Sequence, residues 1–84
     1  METNEKMKAQ ILEIVKNQLE SNDPPETKAT YERLKREGFN ESQVKQMIGQ
    51  CVSVELFESH KFGKTYDDLR YIYNLSKLPE EPFD

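Results

Sequence analysis

Apolar residues recur at intervals of three and four along most of this chain. In its first stretch Met7, Ile11, Ile14, Val15 and Leu19 share one face, with Leu12 at the margin, and the spacing predicts an amphipathic helix over residues 4–21. Leu12 and Leu19 widen that stripe, which implies packing against two neighbours. The segment "SNDPPETK" then stops one helix and starts another. Asp23 suits an N-cap, Pro24 the first helical position, and Glu26 stands three residues after Asp23 in a capping-box pattern, so a second helix is expected over 24–37.

The most specific local signal is "LKREGFNESQV". Gly38 stands where a left-handed residue ends a helix, and Leu34 and Phe39 form the apolar pair that accompanies a Schellman ending. Asn40 is the next N-cap with Gln43 at its third helical position, and Phe39 and Val44 occupy the two staple positions. One phenylalanine thus closes the second helix and opens the third, expected over 41–61.

The third helix carries Val44, Met47, Ile48, Cys51, Val52, Val54, Leu56 and Phe57. Such an arc exceeds half the circumference of a helix, so this element should be central and packed on more than one side. Gly63 ends it. Thr65 is the expected cap of a fourth helix over 66–78, with Asp67 and Asp68 in its first turn opposing the positive end of the macrodipole. Pro79 stops that helix, and "PEEPFD" forms a short acidic tail over 79–84. The fold class is therefore all-α, one domain over 1–84 with four helices and helix three at the centre.

Composition narrows the chemistry. At 84 residues the core is small, and a single cysteine rules out a disulfide to reinforce it. One cysteine and one histidine do not supply the four ligands of a structural zinc site, so no metal and no cofactor are expected. The chain has no basic start followed by an apolar run and no long apolar stretch, which points to the cytoplasm and away from a membrane. Twelve basic against sixteen acidic residues give a net charge of −4, which opposes binding to a phosphate backbone, so no nucleic-acid partner is expected.

Three positions invite a site reading. His60, the only histidine, lies near Glu55, Glu58, Asp67 and Asp68. However, His60 is five residues from Glu55 and two from Glu58, spacings that put neither carboxylate on its helix face. With Lys61 it is expected to act as a last-turn cation. Glu55 projects from the middle of the arc of Val44, Ile48, Cys51 and Val52, and a carboxylate there needs a partner. Arg70, at the edge of the Tyr66, Leu69 and Tyr73 face of helix four, is the first candidate for a buried ion pair; a tyrosine hydroxyl or Arg33 is the second. Cys51 lies on the same arc and is expected to be a buried apolar residue. A second strip on helix four, Tyr71, Leu75 and Leu78, is covered by the chain itself or offers a surface to a protein partner or a second copy.

The segments "NDPPETKATYERLKREGF", "VELFE" and "DDLRYIYNLSKLP" resemble a family of short, functionally uncharacterised bacterial proteins. The resemblance implies an all-helical fold and a bacterial source, and no activity. "LKREGFNESQVKQMI" is also similar to the Gly-Phe loop of ubiquitin-associated domains, where that loop and the last helix bind the partner; Glu37 replaces the methionine usual before Gly38, and the third helix is longer than that fold uses. With no nucleophile, metal constellation or phosphate loop, the chain is not expected to be an enzyme. The expected function is that of a small soluble helical module for protein–protein interaction or regulation. The alternative is a helix-turn-helix nucleic-acid binder, although Arg33 and Glu37 would fall at core positions of that motif and the reading helix would offer Lys45 against Glu41, Glu55 and Glu58.

Overall fold

A computed structural model describes the backbone of residues 2–63 and 66–82, and the side chains of 5–59, 63 and 66–82. Every regular element among them is helical: α1 (Glu2–Ser21), α2 (Pro25–Arg36), α3 (Glu41–Phe62) and α4 (Asp68–Lys77). Helix α3 packs against all three others, and α2 also touches α1 and α4. A small four-helix domain with α3 at its centre results. Val15, Leu34, Val44, Ile48, Cys51, Val52, Tyr71, Leu75 and Leu78 form the core, so each helix or its end contributes. Gly49 brings α1 close to α3, because a Cβ there would lie 3.1 Å from the Ile11 Cγ2 methyl.

Chain direction is set by caps. Asn22 adopts φ +55° and the Asp23 N–H donates to the Gln18 carbonyl at 3.2 Å, ending α1 with asparagine in the left-handed role usually taken by glycine. Asp23 is not the cap of α2. Pro24 is the N-cap, extended at ψ 152°, without a side-chain cap bond, and the Asp23–Glu26 box is not formed. Two consecutive prolines explain the shift, since the residue before a proline is pushed out of the α region, and Pro24 precedes Pro25.

The α2–α3 junction carries the full set of bonds for its motif. Gly38, at φ +106°, donates to the Lys35 carbonyl and Phe39 to the Leu34 carbonyl, the paired bonds of a Schellman ending. Asn40 then accepts from the Gln43 N–H at 2.8 Å while the Gln43 side chain accepts from the Asn40 N–H at 2.9 Å. Nothing lies within 4 Å of a Cβ built on Gly38, so Gly38→Ala pays only for its backbone conformation. The expected loss is about 1 kcal/mol, seen as a lower urea midpoint. An unchanged midpoint would contradict the left-handed closure.

Helix α4 begins later than its apolar pattern indicated. Thr65, the expected cap, lies outside the described residues; Asp67 is the N-cap and its carboxylate accepts from the Arg70 N–H at 3.1 Å. The helix turns one of its two apolar strips inward and leaves Leu69 and Tyr73 of the other outside. Of the two readings given above for Tyr71, Leu75 and Leu78, cover by the chain itself holds and the partner surface does not: they are 1–2% exposed and belong to the core, whereas Leu69 is 81% and Tyr73 47% exposed. Both strips are apolar at helical spacing, so periodicity does not choose between them. Polar partners do: the Tyr71 hydroxyl has them only on the inner side.

Candidate functional site

The buried seam of α3 starts apolar with Val44, Ile48, Cys51 and Val52 and continues acidic with Glu55 and Glu58. Glu55 is fully buried and Glu58 is 7% exposed. Across from them α4 supplies one arginine. Arg70 Nε donates to Glu55 Oε2 at 2.6 Å and Arg70 Nη2 to Glu55 Oε1 at 2.9 Å, a two-bond fork. The Asp67 N–H donates to Glu55 Oε1 at 2.9 Å, and Glu58 lies 3.8 Å from Arg70 Nη1. The structure thus brings Glu55 and Arg70 together, and it ties Glu55 to the start of α4 as well. Arg33, the second candidate, is elsewhere: it pairs with Glu37 and donates to the Leu75 carbonyl at 3.1 Å.

The Glu55 carboxylate has the character of a fastener. Its two oxygens accept three bonds from groups of α4 and its cap, and it has no contact with solvent through which a substrate could reach it. Hydrogen bonding to Glu55 holds the Arg70 guanidinium firmly protonated, its pKa raised above the ordinary arginine value. Cys51, one turn earlier, is fully buried; burial, reinforced by the Glu55 charge, pushes its thiol up to about 12 and removes the thiolate that nucleophilic chemistry needs. The His60 side chain lies outside the described residues. No group of three or more His, Cys, Asp or Glu side chains among the described residues is placed to hold a metal ion.

A second polar cluster, which the sequence reading missed, joins α1, α2 and α4. Gln18 Oε1 accepts from Thr27 Oγ1 at 2.8 Å and from the Tyr71 hydroxyl at 2.6 Å. Thr27 is fully buried, so its hydroxyl and that of Tyr71 are satisfied inside the domain. The Tyr66 ring packs edge-on to Tyr71 at 5.5 Å, and its hydroxyl is buried without a hydrogen-bond partner. Burial raises its pKa to about 12. The hint in the sequence was Thr27 and Thr30, two small polar residues three positions apart and so on one side of α2, both buried.

Comparison with known proteins adds no assignment. No family model, curated protein or solved structure matches the chain.

What the chain offers to another molecule is its surface. On α4, Leu69 and Tyr73 stand one turn apart on the outer side, and the Lys77 ammonium sits 5.4 Å from the Tyr73 ring centre. Beside them, between α2 and α4, is a 370 Å³ hollow bordered by Ala29, Arg33, Arg36, Ile72, Leu75 and Ser76. A smaller groove of 280 Å³ lies between α1 and α3 beside Met7, Ile11 and Gly49. No helix among the described residues is long and apolar enough to cross a membrane.

Proposed function

We propose that this chain is a small helical interaction module that docks a protein partner on the outer face of α4. The observation that carries the reading is the exposure of Leu69 and Tyr73, 81% and 47%, on one side of a helix whose opposite side is fully buried. A large aliphatic and an aromatic side chain adjacent on a helix form the kind of anchor pair that helical recognition uses. An enzymatic reading has less support, because the buried Glu55 carboxylate is saturated by its own partners. A nucleic-acid reading is disfavoured by the net charge of −4. The setting attached to the proposal, a bacterial cytoplasm, rests on the sequence resemblance and the composition.

Affinity capture from a lysate of the source cells, with the intact chain and with a Leu69→Asp, Tyr73→Asp double variant as baits, tests this. Both positions are exposed, so the variant is expected to keep its helicity and Tm within a few degrees. At least one protein should be retained by the intact chain and lost by the variant. Identical retention by both baits, or none by either, would remove the proposal.

A further inference from the structure

We propose that the hollow between α2 and α4 receives an acidic peptide segment of the partner, with apolar side chains as anchors. This rests on the interaction reading above and names the chemistry of its ligand.

The floor and walls of the hollow are apolar, from Ala29, Ile72 and Leu75. Going round α4, Ile72 and Ser76 adjoin Leu69 and Tyr73 at three- and four-residue spacing, so the hollow and the exposed pair make one continuous surface. Its charge is uneven. Thr27 meets Tyr71 and Arg33 meets the Leu75 carbonyl, contacts that advance together, so α2 and α4 run in the same direction with their C-terminal ends at one end of the hollow. Arg33 and Arg36 border it, and Lys77, in the last turn of α4, sits over the Tyr73 ring beside the exposed pair. Glu26 borders the hollow from the first turn of α2, and Asp68 lies in the first turn of α4.

Cations at the end of a helix stabilise it by opposing the macrodipole, and Arg33 does this through the Leu75 carbonyl while also holding Glu37. Arg36 is different. It is exposed and makes no hydrogen bond or ion pair among the described residues. In a chain with a net charge of −4, an exposed arginine beside an apolar hollow, with Lys77 over the Tyr73 ring of the adjoining exposed pair, is complementary to a carboxylate. An arriving acidic segment would place an apolar side chain over Ile72, a second against Leu69 and Tyr73, and its carboxylates toward Arg36 and Lys77. Glu26 and Asp68 at the other end fix its direction by repulsion.

A random dodecapeptide phage library selected against the full chain provides the probe. Enriched peptides are expected to combine apolar residues with Asp or Glu, and labelled versions should bind more weakly as salt is raised. Arg36→Glu and Lys77→Glu should each weaken them by about tenfold or more, with unchanged circular dichroism. Enrichment of basic or uncharged peptides, or of none, overturns the proposal. So does binding that Leu69→Asp abolishes while both charge reversals leave it unchanged. In that last case the α4 face remains a docking surface, and only the acidic character of its ligand is wrong.

Discussion

Arg70→Met is expected to cost about 3 kcal/mol or more, because it strands a fully buried carboxylate with a single remaining donor, the Asp67 N–H. For a domain of this size such a loss lowers Tm by roughly 12–24 °C. Glu55→Gln should cost less. The guanidinium it leaves behind is 19% exposed and keeps Glu58 at 3.8 Å, so Arg70 retains water and one counter-charge. The two changes should not add. In the double variant neither charge is stranded, so part of the loss returns as a coupling of about 0.5–3 kcal/mol. Urea unfolding of the four proteins measures it. Additive losses would mean that the fork does not fasten α3 to α4. A rise in Tm on Glu55→Gln would instead mark Glu55 as a residue held at the expense of stability for some further role.

Tyr71→Ala and Tyr73→Ala, two residues apart on one helix, should differ by several kcal/mol. Tyr71 is 1% exposed, packs on Tyr66 and bonds to Gln18; truncating it opens a cavity and is expected to cost about 3–5 kcal/mol. Tyr71→Phe isolates the hydroxyl and should cost about 1 kcal/mol, since Gln18 keeps its bond from Thr27. Tyr73→Ala removes a half-exposed ring beside Lys77, and its effect should stay below about 1 kcal/mol. Thermal or urea unfolding of the three variants suffices. If Tyr73→Ala proved the costlier of the two truncations, the inner and outer faces of α4 would be exchanged and the docking surface proposed above would lose its basis.

The contrast between those two tyrosines marks where local information stops. Everything that depends on a few consecutive residues was decided by the sequence: the all-α class, the number of helices, and the Leu34–Gly38–Phe39–Asn40–Gln43 junction, because left-handed closures and capping boxes are satisfied by neighbouring backbone groups. The start of α2 was decided equally locally, but by a rule stronger than the capping pattern, the restriction that Pro25 places on Pro24. That Glu55 needs a partner followed from its place in an apolar arc. Arg70 was also the first partner expected, and the structure bears it out; the two-bond geometry of that fork, the bond from the Asp67 N–H and the nearby Glu58 came only from the way α4 crosses α3.

Tertiary structure alone decided the orientation of α4. Tyr66, Leu69 and Tyr73 and the strip of Tyr71, Leu75 and Leu78 are both apolar stripes at helical spacing, and the hydrophobic effect, being non-directional, favours burying either. Hydrogen bonds are directional. Gln18 and Thr27, more than forty residues upstream, offer polar groups at one place in the interior, and the Tyr71 hydroxyl meets both. With that side turned inward, Leu69 and Tyr73 are left outside. The buried stripe was therefore selected by polar groups far away in the chain, which no local pattern of apolar residues encodes.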